Sequence, residues 1–302
     1  MANFGLFRGF SEKLFEGELP LHLGGVGSLD LGLLLDTYPN AAAAYSLRRL
    51  RIAYTGSAIR VRRASDNTEQ DIGFVSNALD TSALTTFCSG TNGFVKTWYD
   101  QSGNGRDATQ TTAANQPQIV SSGSVITQDS KPIMSFTSNT QVLNTPSFAL
   151  SVNRTYVMTL YNQTNTFASY KIYLGSFGGG ADNLVNGIAG WVNSSNVSTS
   201  FIGSGAANTR VGTGALSNST YFLLGAYVQG SVQHQHYRNG ALNAENTSLT
   251  ISPTTNSQIQ TIMQSGGSGY DLRTNEAIIW DSYQAANRTE IETNINDFYS
   301  IY

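Results

Sequence analysis

The chain predicts a mainly β fold, a sandwich or jelly roll with a few short helices and a C-terminal helix, and three observations support that class. From Lys131 onward, short apolar or alternating segments recur between clusters of glycine, serine and asparagine, as strands joined by turns do. Asn239 and Gly240 follow an alternating run through His236 and Arg238, and this pair tolerates the positive φ angles of a two-residue hairpin turn. Only 12% of the residues are charged, against 30 glycines, 15 tyrosines and 14 phenylalanines, so serine, threonine and asparagine must carry much of the solvation.

Taken in order, residues 1–36 stand apart. Phe4, Leu6, Phe7, Phe10, Leu14 and Phe15 make an apolar start, and a leucine and glycine stretch follows to Leu35. An exposed apolar arm is a liability in a free monomer, so the segment is expected either to attach or oligomerise the protein or to pack along its own chain. Residues 37–302 are expected to form one sandwich domain. Within it, Asn40 is placed to cap a helix running from Ala41, with Gly56 ending it. Ile59 and Val61 alternate with Arg60 and Arg62, a strand pattern over 58–63. Asp71 to Phe74 predicts another short strand, and Leu79 to Phe87 a helix capped by Asp80.

The stretch FVKTWYDQSGNGRDATQ, from Phe94 to Gln110, opens as a buried strand and enters a turn whose asparagine and glycines supply unusual backbone angles cheaply. Beyond Lys131, strands are expected at 132–136, 156–161, 171–174, 187–192 and 221–228, with 175–183 and 193–216 as loops around a strand at 199–202. Ile278 to Trp280 reads as a compact buried strand. Ile291, Ile295 and Phe298 then follow helical spacing, and Tyr299, Ile301 and Tyr302 pin the end down.

Composition excludes several classes. A net charge of -3 gives no electrostatic case for nucleic acid. No apolar run is long enough to span a membrane, and the first residues lack the continuous apolar core of a signal peptide. The single cysteine, Cys88, rules out an internal disulfide framework and reads as a buried neutral thiol. No nucleotide-binding glycine motif, nucleophile elbow or HExxH pattern is present.

The remaining chemistry lies in carboxylates and aromatics. Asp66, Asp71, Asp100, Asp107, Asp182, Asp271 and Glu276 are candidates for the acid and base of glycoside cleavage, which needs two carboxyl groups held about 5 to 10 Å apart. Asp100, Asn104 and Asp107 belong to the glycine-rich turn, where they either stabilise the backbone or contact an ion. No cofactor is expected, and calcium at this turn is the one ion the pattern admits. Trp191, between glycine-rich and asparagine-rich loops, is the candidate sugar platform, with Asp182 and Asn183 as polar partners. Six arginines between Arg48 and Arg63 fit either an anionic site or salt bridges to Asp66, Glu69 and Asp71. His234 and His236 share one strand face and fit either metal ligation or polar packing.

AYSLRRLRIAYTGSAIRVRRASDNTEQDIGF, from Ala44 to Phe74, and the segments DTSALTTFC and FVKTWYDQSGNGRDATQ, between Asp80 and Gln110, resemble the amino-terminal part of fungal-type α-L-arabinofuranosidase B catalytic domains. That resemblance implies a concanavalin A-like β sandwich and hydrolysis of terminal arabinofuranosyl bonds with retention. Cys88 matches a family cysteine whose usual partner is missing here, and no residue matches the family's catalytic glutamate and aspartate. The YRNG turn and the ending EAIIWDSYQAANRTEIETNINDFYSIY resemble laminin-G-like modules of bacterial and phage surface proteins.

On these grounds the sequence is expected to encode a phage virion protein, a fibre, spike or decoration component that binds a host-surface glycan without cleavage. The expected partners are other virion subunits, further copies of itself and that glycan, with no nucleic acid and no membrane insertion. The expected location is the virion, with an extracellular surface protein as the alternative. A retaining glycoside hydrolase acting on arabinofuranosyl glycans and a purely structural capsid or tail protein are the competing functions.

Overall fold

The computed structural model describes residues 33–165, 171–177, 184–191, 197–202, 209–212, 214–247, 258–265 and 270–302. The expected attachment segment therefore lies outside the described residues as far as position 32. From there Leu34–Thr37 forms one helical turn, with Leu34 and Leu35 buried. The Asp36 carboxylate holds the turn by accepting from the backbone of Leu33 at 3.1 Å and Ile52 at 2.9 Å.

The architecture is the expected β sandwich. One sheet orders the strands Ala41–Ser46, Glu276–Trp280, Asn153–Asn165, Thr220–Gln229, Gln233–Arg238 and Ala241–Asn246, all antiparallel. Beside the second half of Asn153–Asn165 its neighbour is Tyr270–Thr274 instead. The other sheet runs Glu69–Ile72, Ile59–Arg63, Gly93–Trp98, Ala108–Thr109, Leu143–Phe148, Gln258–Ser265, Lys171–Phe177, Leu184–Trp191, Val197–Ile202 and Thr209–Val211. Met134–Phe136 and Gln118–Ser121 bridge the two, so the ladder is continuous around one side.

Alternation sorts the side chains into layers. Ile59, Val61, Val95, Trp98, Leu143, Leu174, Ile188 and Ile262 of the second sheet pack against Tyr45, Tyr156, Met158, Leu224, Ala226 and Ile279 of the first. The other face of the first sheet, carrying Ala44, Val157, Leu223, Tyr227, Ile278 and Trp280, is covered by Leu34, Leu35 and the helix Arg288–Tyr299 through Ile291, Ile295 and Tyr299. The first sheet is thus buried on both faces from Ala41–Ser46 to Thr220–Gln229, and its outer strand Ala241–Asn246 is largely exposed. Its covering helix ends at Ser300 in the left-handed conformation, and the Asn296 side chain accepts from the backbone of Ile301 and Tyr302.

The helix expected from Ala41 is instead the strand Ala41–Ser46, buried throughout. Asn40 takes φ +62°, which breaks the chain direction and cannot cap a helix. The alanines have high helix propensity, but at this position they are small enough to lie between two packed layers, and the ladder to Glu276–Trp280 decides the outcome. The strand expected at 171–174 extends to Phe177, and the region 193–216 contributes two strands, Val197–Ile202 and Thr209–Val211. The helix capped by Asp80 forms as Thr81–Phe87, with the carboxylate accepting from Ala83 N at 2.9 Å. The hairpin turn places Asn239 at φ +50° and Gly240 at +75°.

One ion pair ties the helix layer to the first sheet. Arg48 donates to both Glu276 carboxylate oxygens, at 2.8 and 2.9 Å, and Ser46 and Tyr299 hydroxyls complete the shell at 2.7 and 3.1 Å. Both charges are buried, so removing one strands the other. Glu276→Ala is expected to cost ~3–5 kcal/mol in urea denaturation, whereas Arg48→Met combined with Glu276→Leu recovers a large part of that loss. Equal losses for the single and the double variant would contradict this account.

Candidate functional site

With the middle of the first sheet covered on both sides, the outward side of the second sheet is a large sheet surface among the described residues. Its cross-strand register is unbroken over eight strands: Asp71, Arg60, Thr97, Thr109, Asn144, Thr261, Gly175 and Gly187 stand opposite one another in succession. Their strand neighbours Ile59, Trp98, Ala108, Leu143, Ile262, Leu174 and Ile188 point into the core, so the row lies on the opposite side of the sheet, where Asp71, Arg60, Thr109 and Asn144 reach solvent and Thr97, Thr261, Gly175 and Gly187 are buried. Ile259, 51% exposed, stands beside it on the Gln258–Ser265 strand.

At Gly187 the backbone crosses so close to its neighbour that a Cβ would lie 2.2 Å from the Leu174 carbonyl, and its φ of +138° also requires glycine. The row is therefore floored by short side chains and bare backbone at one end. Its other end carries charge. Arg60 grips Asp71 through two hydrogen bonds of 2.8 and 2.7 Å, and the Tyr99 hydroxyl donates to the same carboxylate at 2.7 Å. The Arg60 guanidinium holds the Asp71 carboxyl below the usual carboxylate range against the opposing effect of burial, and the Tyr99 hydroxyl adds a smaller lowering. Lys96 pairs with Glu69 at 2.7 Å, and Arg62 lies over Phe94 while donating to Gln116 and Asn67. Arg63 takes Asp66, which is held well below its ordinary value. Arg60, Arg62 and Arg63 are thus engaged by acids and amides, Arg48 is committed to Glu276, Arg51 donates to the Ser102 carbonyl and Arg49 lies over the Phe74 ring.

Asp100 and Asp107 have a different role. The Asp100 carboxylate accepts from Ala44 N at 2.9 Å, Ser102 N at 2.9 Å, Ser102 Oγ at 2.8 Å and Arg106 N at 3.0 Å. Asp107 accepts from Asp100 N, and the Asn104 amide donates to the carbonyls of Ala41 and Ala42, each at 3.0 Å. Gly103 and Gly105 adopt φ of +92° and +68°. Four protein donors engage Asp100, which leaves its oxygens committed to the turn and the adjoining strand. No cluster of three or more metal-ligating side chains occurs among the described residues.

Other expected site residues divide by position. Trp191 ends the Leu184–Trp191 strand, while Asp182 and Asn183 lie outside the described residues. His234 and His236 face the inter-sheet core beside Val228 and Ala226, fully buried, and burial pushes each imidazole down to about 3. Cys88 is buried, which raises its thiol. Asp271 is held by Arg273 at 2.9 Å and by Ser135 at 3.1 Å. Sequence reasoning missed the Thr97, Thr109, Asn144 and Thr261 row. Its signal was small polar residues alternating with core residues, but only register shows that they align.

Comparison with known proteins agrees with the sandwich fold. Residues 36–172 match the family model described as Alpha-L-arabinofuranosidase B, catalytic. An Alpha-L-arabinofuranosidase B of Emericella nidulans is 42% identical over 74 residues, which are 24% of this chain and 14% of that protein. An arabinofuranosidase structure complexed with arabinofuranosyl-α-1,2-xylobiose superposes with a TM-score of 0.67 at 15% identity, over 89% of this chain and 64% of that one. A glutamate-to-glutamine variant of a GH54 α-L-arabinofuranosidase soaked with 4-nitrophenyl α-L-arabinofuranoside gives a TM-score of 0.65 at 14% identity, over 89% and 65% of the two chains. The chain therefore spans somewhat less than two thirds of these structures, and the shared feature they establish is the sandwich fold. These similarities overturn the expectation of a phage virion protein and its virion location, because they point to a glycoside hydrolase scaffold. The carbohydrate-directed part of that expectation is the part that fits them.

Two outcomes follow from the site's construction. Asp100→Ala removes an acceptor shared by four donors and is expected to cost ~2–4 kcal/mol, read by denaturant unfolding; a loss below ~0.5 kcal/mol would contradict the assigned role. For the histidines, the folded value of about 3 lies below the ~6.5 of an exposed imidazole, so the unfolded chain takes up protons first as the pH falls. Their contribution is complete above about pH 6.5 and is lost towards pH 3, at roughly 1 kcal/mol per pH unit for each histidine. His234→Gln is expected to flatten the stability profile between pH 6 and 4, and an unchanged slope would refute the assignment.

Proposed function

We propose that the protein is a glycoside hydrolase that removes arabinofuranosyl residues from a glycan outside the cell, with the open face of the second sheet receiving the substrate. The observation that carries this reading is that the matched residues 36–172 contain five of the strands forming that face. Its lining suits sugar: a hydroxyl and an amide at the half-buried Thr109 and Asn144, an apolar contact at Ile259, and cations already balanced by acids.

Cleavage with retention needs a nucleophile and a proton donor, with carboxyl groups about 5 to 5.5 Å apart. Asp71 stays ionised under Arg60, which suits a carboxylate that attacks or stabilises positive charge and does not suit an acid. Glu69 shares its face, and Asp182 is a further sequence candidate for the second group. Asp100 and Glu276 are buried in the fold's own hydrogen bonds and are set aside.

The test is release of nitrophenol from 4-nitrophenyl α-L-arabinofuranoside by the full chain and by the Asp71→Asn, Glu69→Gln and Asp182→Asn variants. Saturable release is expected, with at least one variant losing ~100-fold or more in kcat while keeping its thermal midpoint. A folded wild-type chain that releases nothing, or three variants that all retain full activity, would overturn the proposal.

A further inference from the structure

We infer that the hairpin 233–246 is an acid-released flap, which leaves the edge of the first sheet at low pH while the rest of the sandwich stays folded. The hairpin is joined to that sheet on one side only. Gln233–Arg238 pairs with Thr220–Gln229, and Ala241–Asn246 pairs with Gln233–Arg238 and is largely exposed. The helix layer adds part-buried hydrogen bonds: Tyr283 donates to Gln233 and Gln235 at 2.8 and 3.1 Å, and Arg288 donates to the Gly240 carbonyl at 3.1 Å. Such an edge element, with an exposed outer ladder, opens more readily than the strands buried on both faces.

The inter-sheet side decides when it opens. His234 and His236 are fully buried there, opposite Val228 and Ala226, and neither ring nitrogen of His234 has a hydrogen-bond partner in the protein. A charge placed on such a group has nothing to offset its desolvation. The charges that face the pair make this worse, because they are positive. Its own strand brings Arg238, which lies over Phe222, and Asn153–Asn165 brings Arg154 across Val228, with Tyr156 beside it. On this side Thr220–Gln229 contributes Phe222, Leu224 and Ala226, none of which titrates. Val197–Ile202 and Thr209–Val211 pack over the hairpin and carry Arg210 as their one charged residue. Glu245 joins Gln235 on the opposite face, and Asp281, the acid that reaches Tyr156, is exposed and engaged by the Ser151 backbone. Burial first, then the His236 ring for His234 and Arg238 for His236, therefore keeps both imidazoles down at about 3. Opening returns them to the ~6.5 of an exposed imidazole, so it takes up two protons, and the closed form loses its advantage as the pH falls from about 6.5 towards 3.

Hydrogen–deuterium exchange of the full chain between pH 7 and 4, corrected for the intrinsic exchange rate, reads opening segment by segment. Peptides across 233–246 are expected to show an opening constant that rises about 100-fold per pH unit from pH 6 to 4, while those across Glu276–Trp280 stay level. His234→Gln and His236→Gln each remove one of the two protons, so each lowers the rise to about tenfold per unit. Two variants allow one to fail in folding, judged by near-UV circular dichroism. Equal rises in the hairpin and in Glu276–Trp280 would mean that the sandwich unfolds as one unit, and would overturn the flap. A wild-type hairpin that stays level, or folded variants that keep the full rise, would overturn it too.

Discussion

The strand Glu276–Trp280 is buried along its whole length, with Ala277 and Ile279 facing the inter-sheet core and Ile278 and Trp280 facing the helix layer. A strand in that position accepts only neighbours that are apolar on both sides. Ala41–Ser46 meets the requirement with small residues on one side and Tyr45 on the other, and Asn153–Asn165 meets it with Tyr156, Val157 and Met158 in succession. Each layer then follows: the C-terminal helix must cover Ile278 and Trp280, and the second sheet must cover Ile279. Polar groups trapped between the layers have to satisfy one another, which is why Arg48, Ser46 and Tyr299 converge on Glu276.

The Asp100 turn works on the same strand from its edge. Ala44 donates its backbone N–H to the Asp100 carboxylate, and Gln101 donates its own N–H to the Ala44 carbonyl. The Gln101 side chain reaches further, accepting from Leu50 and donating to the carbonyls of Ser46 and Arg48. An edge strand left with open backbone groups would invite pairing with another chain, and here a loop covers it. The glycines allow the loop to fold back tightly enough to do so. A turn that looks like a binding motif in the sequence is therefore the closure of a sheet edge.

Much of this was legible in the sequence. Alternation over 59–63, the Asp80 cap, the Asn239 and Gly240 turn and the helical spacing of Ile291 and Ile295 each depend on local chemistry, and each is found in the fold. Ala41–Ser46 was not legible, because its strand state is imposed by Glu276–Trp280, more than 200 residues away in the chain. The open face was only half visible. Arg60 and Asp71 could be paired from neighbouring strands, but Asn144 meets Thr109 and Thr261 through registers that no local pattern encodes. The comparison with arabinofuranosidases corrected the functional expectation for a related reason: low charge and polar loops describe many extracellular sandwiches, whichever face they use.

Perturbed acidity does not by itself locate chemistry in this molecule. Glu292 is the carboxylate that burial pushes above its ordinary value, the direction a proton donor requires. Yet it lies in the covering helix, hydrogen-bonded to Tyr227 at 3.0 Å and Arg288 at 2.7 Å, against the sheet face that no substrate can reach without undocking the helix. On the open face the same forces act in reverse: Asp71 is more exposed, faces a guanidinium and stays charged. Burial makes a weak acid where the fold closes, and pairing makes a stable anion where it opens.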